Sequence, residues 1–414
     1  MRIRYGKKEN GALIKKAVVY TRNEHRINFA DVDDDAVFIC SRLRANGFET
    51  YIVGGAVRDL MLGKKPKDFD IVTDATPPRI KKIFRNSRII GRRFRLVHVF
   101  FGPRIFEVST FRSLKDGHTS NTYGAVEEDV LRRDFSINAL FYDPENQVVV
   151  DYVNGMADIR RKKIRPIIPA ELIFKDDPVR MIRALKYAAA TGFSISWMLK
   201  RRIKKEADLL DLVSPSRRTE ELLKIINSPC VQRIVESLED AGLYKYLQAG
   251  ASACLKTDAG FKRRYFQTLS GLGLYNEKDE AEKEGGRVLS ALIRDYLADT
   301  CAWETLKKGG WEEYKSVFFA ARRFVLPMNP PRLELEKAVR LVFAEYGVEL
   351  KKTRIFEERR RSGRIHPPGV HPPGTQAHHA KAPPKPEHPP SGENGKGRAG
   401  EPGRRKPKPP KPNS

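Results

Sequence analysis

YIVGGAVRDLMLGKKPKDFD, residues 51–70, opens with a short apolar run, Tyr51-Ile52-Val53, whose length and flanks predict a buried strand. Gly54 and Gly55 follow, and with no Cβ in the way the backbone there is open to close approach by a ligand. Arg58 comes about one turn later, on a helix expected over 56–62. A lysine-rich turn around Pro66 then leads to Asp68-Phe69-Asp70. Alternate residues of a strand share a face, so Asp68 and Asp70 are expected to point one way with Phe69 buried behind them. Two neighbouring carboxylates repel each other unless a cation lies between them, and a divalent metal holding a triphosphate answers that need. The stretch therefore offers a glycine backbone for phosphates, an arginine for phosphate charge and two acids for Mg²⁺. A lone Gly-Gly is ordinarily a turn and a lone DxD a solvated strand end. It is the order of the pieces that points to nucleotidyl transfer.

The surroundings suit such a site. The chain has 414 residues, a formal charge of +26 and 40% hydrophobic residues. A charge excess of this size fits a polyanionic partner, RNA or DNA before an anionic membrane. From Arg354 onward there are 14 Lys and Arg against 5 Asp and Glu, so most of the surplus lies ahead of that point. No apolar run is long enough to cross a bilayer, and the first residues lack the apolar core of a secretory signal. Cys40, Cys230, Cys254 and Cys301 show no metal-ligand spacing, which fits free thiols and a cytoplasmic location.

Along the chain, residues 1–32 read as a flexible lead-in and 33–168 as an α/β head. Acids open a helix over Asp33–Ala45, and Thr76-Pro77 opens another. Strands are expected between Ser87 and Arg112 with a turn at Gly102-Pro103, and alternation there puts Glu107, Ser109 and Phe111 on one face. Arg92 and Arg93 precede the apolar run and are candidates for phosphate or RNA contact. Residues 113–123 read as a loop. Strands at Val148–Val150 and near Ile164 are expected to complete the sheet. From about Phe174 helical periodicity takes over, giving an all-α neck and body over 169–350. Residues 351–414 are rich in proline and basic residues and have too few apolar residues to form a core, which predicts a disordered tail.

GGAVRD followed by DFD resembles the catalytic head of the class II tRNA nucleotidyltransferase and bacterial poly(A) polymerase family. RRDFSINA, from Arg132 to Ala139, is similar to that family's RRDFTxNA motif, with Ser136 where threonine is usual. DDPVR, from Asp176 to Arg180, is similar to its EDxxR motif, with Asp176 where glutamate is usual. The resemblance covers roughly Phe38 to Val342. It implies a polymerase-β-like nucleotidyltransferase head, Mg²⁺ as cofactor, ATP as substrate and RNA 3′ ends as partner. It implies Asp68, Asp70 and Asp134 as catalytic acids, with Asp68 and Asp70 on the metal. Asp134 could equally fix the ribose, and strand alternation offers Glu107 as another third acid. Gly54, Gly55, Arg58 and Arg133 are implied at the nucleotide, with Arg183 in support.

Asp177 and Arg180 are implied as the base readers, and their spacing puts them on one helix face. A carboxylate accepts from an exocyclic amine and a guanidinium donates to a ring nitrogen, a code that fits both adenine and cytosine. GRRFRLVHV and RFVLPMNPPRLELEKAV look like the poly(A) polymerase branch. The expected activity is template-independent addition of AMP from ATP to RNA 3′ ends. The alternatives are a CCA-adding or A-adding tRNA nucleotidyltransferase, and, from another class, a non-catalytic RNA-binding protein.

The tail gives the first test. Removing everything after Ile365 should leave the first nucleotide addition intact. It should also flatten the fall of RNA affinity with salt, by about 0.7 in log–log slope for each phosphate that the tail neutralises. A salt titration of primer affinity for both lengths measures this, and identical slopes would mean that the tail does not touch the primer.

Overall fold

A computed structural model describes residues 2–7, 13–91, 95–113, 123–277, 286–308 and 311–348. Arg92, Arg93 and the 351–414 tail lie outside those residues, as does most of the 113–123 loop. Among the described residues, nine strands make one sheet: β1 (Arg2–Lys7), β2 (Leu13–Tyr20), β3 (Thr50–Val53), β4 (Asp70–Thr73), β5 (Ser87–Ile90), β6 (Leu96–Phe101), β7 (Arg104–Thr110), β8 (Leu140–Asp143) and β9 (Val148–Asp151). Their order is β1-β2-β9-β8-β3-β4-β7-β6-β5. Every pairing is antiparallel except β4 on β7, where Ile71 lies opposite Val108.

The centre of the sheet is covered on both faces, which is why β3 reads as an unbroken apolar run. Ile52, Ile71 and Val108 belong to the large core, which continues into the helices that follow the sheet. Tyr51, Val53, Val72, Phe111 and Phe141 face the other way, into a smaller core closed by Val126 and Val130 of the Val126–Arg132 helix. Asp33 caps the Asp34–Ala45 helix by accepting from the amides of Asp35 and Ala36. Helices follow the sheet, among them Ala170–Asp176, Val179–Thr191, Pro215–Ile226, Val231–Asp240, Ala259–Asn276, Arg287–Thr300 and Arg332–Glu345. Val179–Thr191 buries Val179, Arg180, Met181, Ile182, Ala184 and Leu185 and ends on Gly192 at φ +73°.

Two expectations need correction. The lead-in is structured over its described residues: β1 and β2 form a hairpin, and β2 pairs with β9. Ala17, Val18 and Tyr20 are buried there, so the apolar end of LIKKAVVY was a strand signal. The segment at Ile164 does not join the sheet. β9 is already paired on both sides, by β2 and β8, and Lys163–Ile164 pairs instead with Ser194–Ile195 in a separate two-stranded parallel sheet. The Ala170–Asp176 and Ala249–Thr257 helices were not expected from the sequence.

One turn locks the end of the sheet to the segment that holds Asp134. The buried Asp151 carboxylate accepts from the amides of Val153, Gly155 and Met156 at 2.9–3.1 Å. A Cβ on Gly155 would collide with the backbone carbonyl of Ser136. Gly155→Ala should therefore lower stability by ~1–3 kcal/mol, the usual cost of overpacking. It should disturb activity too, because Ser136 lies between Asp134 and Asn138. Urea denaturation with a parallel activity assay checks both, and an unchanged midpoint would mean that the turn yields without cost.

Candidate active site

The site begins at the end of β3. Gly54 has φ +75°, a conformation that strains any residue with a side chain. The spot its Cβ would occupy is 3.5 Å from Asp70 Oδ2 and 3.9 Å from Arg133 Nη1. Gly55 opens the Gly55–Met61 helix, and the same spot on Gly55 is 3.5 Å from Arg58 Nη2. The sheet register then gathers the acids. Parallel pairing of Ile71 with Val108 sets Asp70 and Glu107 level on adjacent strands. Both share the face of the smaller core, Asp70 with Val72 and Glu107 with Phe111. Asp68 precedes β4 rather than lying in it, yet the expected alternation holds: Asp68 and Asp70 are exposed and Phe69 is buried.

The electrostatics of Asp70 follow from this crowding. Its carboxyl is pushed above the ordinary range by desolvation first and by Glu107 next. Arg133 and Lys224 pull it back, and Asp68 adds to the rise. Glu107 has a second neighbour in His98, at 3.5 Å. Among the described residues, no three His, Cys, Asp or Glu side chains converge into a ready-made metal cage. Asp70 with the carboxylates of Asp68 and Glu107 acting on it nevertheless offers the oxygen donors that a hard divalent cation such as Mg²⁺ takes.

Asp134 faces a different set of groups. Its Oδ1 accepts from the Phe135 amide at 2.7 Å and from Asn138 Nδ2 at 3.1 Å. Asn138 Oδ1 in turn accepts from Arg58 Nη1 at 2.8 Å, and the Arg58 guanidinium lies over the Tyr187 ring. Burial first, then the Asp134 carboxylate, push the Tyr187 phenol up. Arg133 ties the two groups together. It binds Asp129 through Nε and Nη2, stacks on Phe141 and reaches Gly54 and Asp70.

The two implied base readers do not share a helix face, because Asp177 is extended at the end of Ala170–Asp176 and only Arg180 lies in Val179–Thr191, and they have separate partners. Asp177 Oδ2 lies 2.9 Å from Arg217 Nη2. Arg180 is buried, with Nη2 donating to the Arg132 carbonyl at 2.7 Å and Nη1 3.0 Å from Asp176. Asp176, which has no role on sequence grounds, therefore holds Arg180 in place. Arg183 donates through Nε and Nη2 to Glu221 at 2.8 and 2.7 Å, and Lys186 donates to the other oxygen of Glu221 at 2.9 Å.

Arg217 and Glu221 thus hold two parts of the site from one helix, Pro215–Ile226, and Lys224 of the same helix, paired with Glu220 at 2.6 Å, acts on Asp70 through its charge alone. None of the three stands out in the sequence. Their i, i+4, i+7 spacing, beside the apolar Leu222, Ile225 and Ile226, was the available signal.

Two family models match the chain. One, described as the poly A polymerase head domain, matches residues 50–165, and one described as a probable RNA and SrmB-binding site of polymerase A matches residues 192–254. Poly(A) polymerase I of Escherichia coli is 44% identical over 229 residues, covering 51% of this chain and 49% of that protein. The CCA-adding enzyme of Geobacillus stearothermophilus is 34% identical over 308 residues, covering 68% of this chain and 76% of that protein. The crystal structure of the Bacillus stearothermophilus CCA-adding enzyme in complex with CTP aligns with TM-score 0.52 at 28% identity, over 80% of this chain and 88% of that one. This chain spans about half the length of the poly(A) polymerase relatives it matches.

Glu221 lends itself to a direct test. Burial alone would push its carboxyl up, but Lys186 and Arg183 outweigh burial and hold it at about 2. For Lys186 the balance goes the other way, and burial keeps its ammonium below the ordinary range despite Glu221. A depressed carboxyl adds stability above its unfolded value of about 4.3. That stability is lost as pH falls toward about 2. Glu221→Gln, which leaves two half-buried cations without a counter-charge, should cost ~2–4 kcal/mol at neutral pH, somewhat under the cost of breaking a fully buried pair. The deficit should shrink over that acid window. Denaturation midpoints of both proteins across pH read the effect, and a pH-independent deficit would remove the ion cluster as its cause.

Proposed function

The chain belongs to the class II tRNA nucleotidyltransferase/poly(A) polymerase family, and from that premise we propose that it adds AMP from ATP to RNA 3′ ends without a template. The observation that carries the reading is the crowding of Asp68 and Glu107 on Asp70 beside Gly54 and Arg133. In the proposed reaction the 3′-hydroxyl oxygen attacks the α-phosphorus, the bond to the bridging oxygen breaks and pyrophosphate leaves. Bound Mg²⁺ supplies acidification of the attacking hydroxyl and charge neutralisation of the triphosphate. Asp68 and Asp70 hold it, and Glu107 is the third acid. Gly54 and Gly55 let the phosphates approach the backbone, where Arg133 and Arg58 offset their charge. Lys224 brings a further cation to the same acids. Asp134, fixed by Asn138, meets the ribose.

Base reading by Asp177 and Arg180 requires an exchange of partners. Asp177 leaves Arg217 for the exocyclic amine, and Arg180 turns from Asp176 toward the ring nitrogen. Guanine and uracil present a carbonyl where the carboxylate needs a donor and are rejected, a mismatch that can cost a factor on the order of 10⁴. Adenine over cytosine is favoured by the higher identity to the poly(A) polymerases, 44% against 34%. Addition of CCA to tRNA is the second reading, favoured by the longer match to the CCA-adding enzyme, 76% of its length.

The assay is purified protein with Mg²⁺, each NTP alone, and two primers, an unstructured RNA and a tRNA lacking its 3′ end. ATP incorporated into both primers supports AMP addition, while CTP incorporated into the tRNA alone supports the second reading. Asp68→Asn, Asp70→Asn and Glu107→Gln should each lower kcat by at least ~100-fold, the scale of losing a preorganised electrostatic contact. Asp134→Asn should act more on KM for ATP than on kcat. A full loss of kcat in Asp134→Asn with an active Glu107→Gln would reverse the two assignments. Arg180→Ala should loosen the choice of NTP more than it weakens primer binding.

A further inference from the structure

Well along the chain from the acids, a cleft of about 470 Å³ opens between the Ala259–Asn276 and Arg287–Thr300 helices and the end of Arg332–Glu345. That volume is in the range that holds a small organic ligand. It lies outside both segments matched by family models, which end at residue 254. Asp295 lines it at 5% exposure, and its Oδ2 is buried and accepts no hydrogen bond. Burial pushes the Asp295 carboxyl above the ordinary range, against the opposing pull of a hydrogen bond from Thr268 on the neighbouring helix and of the Arg294 and Arg264 charges. A buried acceptor left unmatched is costly, and it marks where a donor belongs.

The rest of the lining narrows the donor. Arg264, Arg287 and Arg294 stand at the cleft and are exposed. Arg264 pairs with Asp299. Arg294 Nε is 2.8 Å from Glu345, while Arg287 Nη1 is 3.7 Å from the same carboxylate, too far for a hydrogen bond. Tyr275 and Tyr346 also line the cleft, and Tyr346 is held rigid by stacking on Trp303 at 4.0 Å. Cations at the rim, aromatic rings on the wall and one buried acceptor match the needs of a nucleotide, whose phosphate, base face and exocyclic amine meet them in turn.

We propose that this cleft binds one nucleotide of the RNA strand, away from the reacting 3′ end, and that Asp295 accepts a hydrogen bond from the exocyclic amine of its base. The proposal rests on the reading of the chain as an enzyme acting on RNA. Adenine and cytosine present that amine. Uracil flanks its only ring donor with two carbonyls, which face the carboxylate unfavourably.

The test is fluorescence anisotropy of the full-length protein with 15-nucleotide oligo(A), oligo(C) and oligo(U), without NTP. The wild type should bind oligo(A) and oligo(C) at least ~5-fold more tightly than oligo(U), the lower end for one well-placed base contact. Asp295→Asn keeps the shape and gives the side chain a donor, so the ratio should fall toward one, with an unchanged thermal melt as control for folding. Arg287→Ala should weaken all three oligomers alike and reduce the salt slope by about 0.7, the value for one phosphate. An unchanged ratio in Asp295→Asn overturns the proposal. Displacement of oligo(A) by free AMP from the wild type but not from Asp295→Asn also overturns it, by assigning the cleft to mononucleotides. Polymerisation is run alongside. An inactive protein that keeps an Asp295-dependent preference would sink the proposed function and leave this site standing.

Discussion

Parallel pairing of β4 on β7 sets Asp70 and Glu107 level on neighbouring strands, and Asp68 crowds the same corner. Like charges held by backbone hydrogen bonds cannot relax apart, so the protein must balance them from outside the sheet. Arg133 does so from the head, braced by Asp129 and Phe141. Lys224 does so from the helices that follow. The acid site is therefore balanced from both the sheet region and the helices that share its core. Its charge state is sensitive to how well the helical part sits, although its acids lie on β4, on β7 and just ahead of β4.

The Pro215–Ile226 helix bears most of that dependence. Arg217 holds Asp177, Glu221 holds Arg183 and Lys186, and Lys224 acts on Asp70. A buried carboxylate between two cations contributes little net stability over an apolar pair, but removing one member leaves the others uncompensated. Such a cluster fixes the mutual position of two helices more sharply than apolar contact does. Arg180 stands on the Val179–Thr191 helix that the cluster fixes, and Asp177, just ahead of it, is held by Arg217 from the helix that carries Glu221, so the precision of the proposed base reading traces back to that helix.

Most of the head was legible because its signals are local. Val53 before Gly54, Pro77 after Thr76 and the turn at Gly102 each declare themselves within a few residues. The alternation of Asp68, Phe69 and Asp70 also came through, although Asp68 lies ahead of the strand. Glu107 as neighbour of Asp70 followed in part from alternation, but which strand lay beside β4 was set by a pairing nearly forty residues away. What stayed hidden was non-local. The β1–β2 hairpin needed β9 to make it a strand, and Ile164 lost its place in the sheet because both sides of β9 were taken. The partners of Asp177, Arg180 and Arg183 sit on other elements, and a helix face of mixed charges such as Arg217, Glu221 and Lys224 reads as solvated surface until its neighbours are known.

The placement of β2 has a consequence for how the chain acquires its shape. β2 lies between β1 and β9, so residues 18–20 wait for residues 149–151 before their second edge is paired. β3 likewise waits for β8. Contacts this distant in sequence close large loops and slow folding. During synthesis, β3 and β4 emerge as an apolar pair with unprotected edges well before β8 and β9 can flank them, a state open to mispairing with other chains. The head is thus a unit that matures late on the ribosome, only after about residue 151 has emerged. A truncation short of that point strands the N-terminal hairpin without the strand it joins.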